Sequence, residues 1–317
     1  MLLSRVADAL YWISRYLERA EHTARLARVR LDLGLDRRQH SEAWDFDRLY
    51  AGLRIKPPAN MPAHPADLVD TIVFDAANRD SVTACVTAAR DNARQVREEI
   101  SSEMWEQLNG LFLHLRKVRT ENTWSGRPHY LLQVIIEGVH LFQGTTDATM
   151  GHGEGWQYLQ VGRFLERAGS TAALLDLHLS GGESRERPIR LDELEWAGLL
   201  RSCSALEAYC RHYTADLRPE RIAEFLLLNP DFPRSVRFAA SRVEAALRTL
   251  GRLNGRGAGR PERLAGRLHA SLDYAQVDEV LSEPHSYLDS IRQYCDQIHS
   301  AVHQTYIGYA IESALPA

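Results

Sequence analysis

The chain has 317 residues, 44% of them apolar and 25% charged, with a formal net charge of −4. That length and balance support a large packed core and exclude bulk disorder. Arginines interleave with acids, as in Arg94, Arg97, Glu98 and Glu99, which argues against a basic nucleic-acid face, and no apolar run nears the ~18 residues of a membrane span.

The first residues, Met1 to Asp8, put Arg5 and Asp8 into what would be the apolar stretch of a secretion signal. The four cysteines (Cys85, Cys203, Cys210, Cys295) contain no C-x-x-C pair and read as reduced thiols, so a cytoplasmic protein is expected. A first helix is marked by Val6, Leu10, Ile13, Leu17, Ala20 and Ala24, which step by four and three. Helices are expected next over 79–100, capped by Asn78 or Asp80, and over 101–118, with Trp105, Leu108, Phe112 and Leu115 on one face. Further helices are expected over 128–148, 155–179, 192–214, 219–228, 234–252, 260–272 and 285–312. The breaks carry turn chemistry: Lys56-Pro57-Pro58, Pro62 to Pro65, Trp124 to Pro128, Ser180-Gly181-Gly182, and the glycine-rich run Asn254 to Pro261. No period-two run argues for a strand, and the fold class is all-α.

Residues 15–26 read RYLERAEHTARL and residues 163–174 read RFLERAGSTAAL, identical at eight of twelve positions at an offset of 148. A weaker echo links Asn78-Arg79-Asp80-Ser81-Val82 with the run from Asn229 to Val236. The reading is a multi-helix bundle of two pseudo-symmetric repeats packed together, about 1–148 and 149–317, within one domain. Apolar positions such as Leu17 and Leu165 persist for packing. The polar Arg15, Glu18, Arg19 and His22 share one side of the first helix. Arg163, Glu166 and Arg167 return in the second copy, with Ser170 in place of His22.

A solvated stripe would drift between copies, so three readings stay open. An exposed Arg15–Glu18 lattice contributes only ~0.2–0.5 kcal/mol. Carboxylates buried where the halves meet, each answered by arginine from the other copy, would fix the docking. A site lined by Glu18 and Glu166 would use them as acid/base or ion-binding groups, with Arg15, Arg19, Arg163 and Arg167 as clamps for carboxylate or phosphate.

Residues 144–156, GTTDATMGHGEGW, lead into the second motif helix with Asp147, His152 and Glu154 among four glycines. Helix N-terminal amides there suit an anion, and His152 with Glu154 suit a metal; the plainer reading is a helix connection with Trp156 as the next core anchor. His299 and His303 are spaced i,i+4, without H-E-x-x-H. No E-x-x-H pair of the ferritin type accompanies Glu18 or Glu166. Of 38 basic residues only Lys56 and Lys117 are lysine, and no G-x-x-x-x-G-K-[ST] occurs, so a P-loop nucleotide site is excluded and no cofactor is evident.

In Arg15 to Leu26, in Ser81 to Asn109, and in Gly144 to Leu174 the chain resembles the alpha-E domain family, helical proteins named for a Glu-Arg motif. The resemblance runs over essentially the whole chain, and Arg94, Arg97 and Trp105 fit it. Arg237, Arg242 and Glu244 depart from the Ala88-to-Arg97 run in the second half, so a site there would be asymmetric. The resemblance implies a context. Similar proteins are encoded beside, or fused to, circularly permuted ATP-grasp enzymes, often with a transglutaminase-like peptidase and a proteasome-like hydrolase. The expected function is an accessory or partner protein of an ATP-grasp-linked peptide ligation or peptide-tagging system, presenting peptide or scaffolding the complex. Two alternatives are an enzyme using a Glu/Arg-lined site on peptide or carboxylate substrates, and a metal-binding bundle using Glu18, His22, His152 and Glu154. An ATP-grasp-type partner and a peptide substrate are expected, and a homo-oligomer is compatible with the sequence.

Overall fold

The apolar period that opens at Val6 continues unbroken well past Ala24, and α1 spans Ser4–Arg37. The structure, a computed structural model, describes residues 2–37, 46–122, 126–180, 193–255 and 257–308. Along the chain follow α2 (Asp47–Leu53), α3 (Pro65–Val69), α4 (Val82–Gln95), α5 (Ser102–Glu121), α6 (Pro128–Thr149) and α7 (Glu154–Leu179). Then come α8 (Glu193–Ser202), α9 (Leu206–Tyr213), α10 (Pro219–Leu228), α11 (Val236–Leu253), α12 (Arg260–Asp273), α13 (Val277–Ser282) and α14 (Pro284–Val302). The described residues contain no strand. The Gly181-Gly182 break, Trp124 and Ser125, Arg256, and the stretch 309–312 of the last expected helix lie outside the described residues.

Local chemistry explains most boundaries. Ser81 caps α4 by accepting the Ala84 amide at 3.3 Å, and Ser101 and Ser235 cap α5 and α11 in the same way. Asn78 and Asp80 are not the caps: Asn78 Oδ1 instead accepts the Asp80 amide at 2.9 Å and folds the turn ahead of Ser81. Prolines stand in the first turns of α6, α10, α12 and α14, where a missing N–H costs nothing. The helix expected over 192–214 is broken at Ser204, whose φ of 49° is left-handed. The short α2, α3 and α13 escape a periodicity reading because five to seven residues carry too few turns. Most of the run 144–156 also differs from expectation: α6 reaches Thr149, so only residues 150–153 form the connection.

Two helices form the axis of the molecule. α1 packs against α4, α6, α7 and α8, while α7 packs against α1, α11 and α14. α5 bridges α4 and α6, and α12 bridges α11 and α14. Such helices are buried on nearly every side, polar positions included: Leu17, Glu18, Ala20 and Glu21 are all sealed from water. The two run parallel, since Leu10 meets Gly155, Ser14 meets Gly162, and Leu26 and Leu174 meet at Gly52. Closest approach is at Gly162, where an added Cβ would stand 2.3 Å from both the Tyr11 carbonyl oxygen and Ser14 Oγ. The carbonyl belongs to a helix backbone and cannot rotate away. Gly162→Ala is therefore expected to destabilise the fold by about 1–3 kcal/mol despite alanine's better helix propensity, whereas Gly169→Ala, which meets nothing within 4 Å, is expected to be neutral or stabilising. Paired urea denaturation curves check this.

Candidate functional site

The Glu-Arg pairs lie one turn beyond the Ser14–Gly162 crossing, where α1 and α7 face one another. They pair across, not along, the helices. Arg167 grips Glu18 with both arms of its fork, Nε to Oε1 at 2.6 Å and Nη2 to Oε2 at 2.8 Å. Gln143 Nε2 adds a bond to Oε2 at 3.1 Å, and Arg234 Nη1 stands 3.5 Å from Oε1. In the other direction Arg19 Nε reaches Glu166 Oε1 at 2.8 Å, and Arg15 Nε reaches Oε2 at 2.7 Å. Arg19 also bonds Asp80 from the turn before α4. Each motif's arginine thus answers the other motif's glutamate, and an exposed lattice along one helix is not what forms.

The electrostatics follow. Burial acts to raise the Glu18 carboxyl, but Arg167 and Arg234 outweigh it and hold the group far below the carboxylate range. Burial and the opposing Arg15 and Arg19 leave Glu166 lowered as well. Both glutamates therefore stay ionised at neutral pH. Both are committed as acceptors to arginines, so an acid or base role for either would require those pairs to open first.

The two arms differ in access. Around Glu18 there is no room for a solvent molecule: Arg167, Arg234, Thr171 and Cys203 close over it. Around Glu166 opens a pocket of about 340 Å³. Arg15, Arg19, Arg54 and Arg292 bring positive charge to it, and Asp80, Glu166 and Asp296 negative charge. His22, Thr23, Ser170 and Cys295 complete the polar lining. His22 is pushed down to about 4 by burial and then by Arg234, so its ring is neutral. Burial pushes the Cys295 thiol up to about 12, so it is protonated and a poor nucleophile.

Behind the pocket, Arg15 Nη1 donates to the Tyr11 hydroxyl at 3.1 Å and to His299 Nδ1 at 3.1 Å. The Tyr11 hydroxyl itself lies 2.8 Å from that Nδ1, so the three groups form one compact cluster. His299, held neutral near 4 by burial and Arg15, thus serves as an acceptor that orients Arg15. His299 and His303 do stand together, with ring centroids 4.5 Å apart, but no cluster of three or more metal-ligating side chains occurs among the described residues.

The remaining sequence candidates lie elsewhere. Arg163 lines a separate gap of about 20 Å³ and stands 3.9 Å from Asp147. Arg94 is exposed beside Asp91, and Arg97 stacks on Trp105 with its guanidinium carbon 4.9 Å from the ring centre. His152 is exposed and stacks on a half-buried Trp156 at 4.2 Å, so Trp156 is no core anchor. Glu154 accepts the Leu2 amide at 2.9 Å and Asn254 Nδ2 at 3.2 Å, so it ties chain segments together. The metal set of Glu18, His22, His152 and Glu154 is not assembled: the first two stand mid-way along α1, and the others flank the start of α7. Sequence reasoning missed Arg54 and Arg292; their only signal was an unpaired arginine beside a Lys-Pro-Pro break and one on an amphipathic helix.

An all-helical bundle with Glu-Arg pairs locked across its two axial helices defines the class of protein. The chain belongs to the Alpha-E family, described as a predicted alpha-helical domain with a conserved ER motif, whose model matches residues 2–307. It is similar to the uncharacterized proteins Mb2597 of Mycobacterium bovis and Rv2567 of Mycobacterium tuberculosis. Each is 24% identical over 302 residues, which are 87% of this chain and 33% of theirs. The chain therefore spans about a third of the length of these relatives. No solved structure matches. No described helix is long and apolar enough to cross a membrane.

Glu18→Gln would strand Arg167 and Arg234 in a dry interior, and a loss of roughly 3–5 kcal/mol is expected. Glu166→Gln should cost less, because Arg19 keeps Asp80 and the pocket admits water. Equal losses in guanidinium melts would contradict the difference in access.

A pH dependence follows from His22 and from His178, pushed down to about 4 by burial and then Arg48. Unfolded histidine titrates near 6.5, above these folded values. Stability from neutral burial is therefore complete above about pH 6.5. It falls as pH drops toward 4, by roughly 1.4 kcal/mol per pH unit for each histidine. Denaturation midpoints should be level from pH 7 to 8 and decline between 6.5 and 5, with a shallower decline in His178→Gln.

Proposed function

We propose that this chain is the accessory module of an ATP-grasp-type peptide ligation system, built from two pseudo-symmetric helical units, and that it holds a peptide at the pocket between them. The pocket beside Glu166 is the observation that carries this reading. It is of small-ligand size and open to solvent, and it is lined by arginines that suit a carboxylate. Its titratable groups sit in the protonation states of a binding site. The imidazole is neutral, the thiol protonated, and the carboxylate held ionised by two guanidiniums.

Three further points support parts of the proposal. The crossed pairs Arg167–Glu18 and Arg19–Glu166, together with the matching neighbours of α1 and α7, support a two-fold relation between units. The family resemblance supports an ATP-grasp partner, as the described residues carry no P-loop of their own. The threefold greater length of the mycobacterial relatives supports a module that works with other domains. An enzyme acting through Glu166 is the weaker reading, because Arg15 and Arg19 would first have to release it.

Co-expression with the ATP-grasp-type protein of the same genome tests the partnership. A complex that survives size-exclusion chromatography, and faster peptide-dependent ATP hydrolysis than the ATP-grasp protein shows alone, are expected. No complex and no change in rate would overturn the proposal.

A further inference from the structure

The pocket beside Glu166 holds hydrogen-bonding capacity that the described protein does not use. Arg54 stands in a left-handed turn (φ 57°) that closes α2, its amide bonded back to the Ala51 carbonyl. Its side chain lines the pocket, is exposed, and pairs with no described residue. Arg292 on α14 reaches Asp176 with Nη1 at 3.4 Å and Asp289 with Nη2 at 3.2 Å. Its Nε is buried and has no partner. The His22 ring, 8% exposed, makes no hydrogen bond with a described residue, and neither do the Thr23 and Ser170 hydroxyls. Donors on α1, α7 and α14 and at the end of α2 thus converge on one cavity. Of these, Arg292 Nε is a buried donor without an acceptor among the described residues, which costs free energy unless a ligand or water satisfies it.

Charge narrows what the ligand is. Four guanidiniums and three carboxylates line the pocket, leaving one positive charge in excess. Arg15 and Arg19 are engaged with Glu166 and Asp80, and Arg292 with Asp176 and Asp289 behind the lining, so the guanidinium left uncompensated is that of Arg54. Asp296 is exposed at the rim and has no described partner. A phosphate dianion would meet these carboxylates at close quarters, whereas a monoanion matches the excess. An ammonium on the same ligand would be received by Asp296. A guanidinium also presents two parallel donors in the geometry of a carboxylate.

Resting on the binding role proposed above, we infer that this pocket is a receptor for the carboxylate of an amino acid or short peptide, gripped by Arg54 and Arg292 above a floor of His22, Thr23 and Ser170. The amino end of the ligand lies toward Asp296. A free amino acid and a peptide C-terminus share this chemistry.

Calorimetric titration of the full chain with L-glutamate, trialanine, trialanine amide and inorganic phosphate tests the assignment. Binding of glutamate, of trialanine, or of both supports it, and which one binds names the source of the carboxylate. Trialanine amide and phosphate are expected to bind at least about tenfold more weakly, as expected for loss of a charge-assisted bond. Arg54→Gln, at a side chain that pairs with no described residue, should weaken binding about tenfold or more with an unchanged melting temperature. Arg292→Lys, which keeps the charge but loses the fork, should weaken it as well. Arg252→Gln, exposed on α11, should leave binding unaltered. Equal binding of amide or phosphate, unaltered binding by Arg54→Gln, or no carboxylate binding up to about 10 mM, would overturn the assignment. Complex formation with the ATP-grasp-type protein is read separately. Failed titrations with an intact complex remove the ligand assignment alone, and the reverse result removes the partnership alone.

Discussion

The crossed glutamate–arginine pairs between α1 and α7 are the constraint on which the rest of the bundle depends. An ionised carboxylate at Glu18's depth is tolerable only with its oxygens occupied, and Arg167, Gln143 and Arg234 occupy them from three different elements. Those bonds set the rotation of α1 about its axis, the depth of α7, and the position of the turn that precedes α11. Apolar packing between two such helices would tolerate sliding by a turn. The forked Arg167–Glu18 pair does not, because a shift of one residue would leave both charges unpaired in a dry interior. The Gly162 crossing acts in the same direction by letting the two backbones approach closely enough for the pairs to span them.

Much of the architecture was legible along the chain. Long periodic helices show their faces plainly, so α1, α5, α6, α7, α10, α11 and α12 follow from apolar spacing, with proline- or glycine-rich breaks between several of them. The motif residues were legible as a group because three charged positions, Arg15/Arg163, Glu18/Glu166 and Arg19/Arg167, recur in both copies. Their partners were not. Helical spacing places Arg15 beside Glu18 and Arg19 on the same face, but it says nothing about which face meets which neighbour. The persistence of the stripe argued against a surface lattice but left a buried seam and a ligand site both open, and the packing of α1 against α7 shows the pairs to cross between the helices.

The pocket was the least legible feature. Arg15, Arg19 and Glu166 come from the motif, but Arg54 is delivered by a seven-residue helix too short to announce itself, and Arg292 by a helix more than a hundred residues further on. A cavity assembled from such distant segments has no local signature. Arg94, Arg97 and Trp105 illustrate the converse. They form a recognisable run, yet its chemistry is spent on stacking at the α4–α5 surface, where Arg90 and Arg97 lie over Trp105.

The difference between the two arms has a local cause in loop length. Before α4 the chain runs from Asn78 to its cap Ser81 in three steps; before α11 it runs from Asn229 to Ser235 in six. In both loops the asparagine side chain folds the turn by accepting amides just ahead of it. The longer loop carries Pro233, whose carbonyl accepts Arg167 Nη1 at 3.2 Å, and Arg234, which reaches Glu21 at 2.8 Å and whose own carbonyl accepts Thr171. Those extra residues fill the space over Glu18. The shorter loop has nothing to insert over Glu166 except Asp80, which binds Arg19 from one side and leaves the other side open toward α2 and α14. Under the two-unit reading, a duplicated helix pair thus keeps its docking charges in both arms. It closes one arm with three added residues, and the arm without them is left as the place where a ligand can enter.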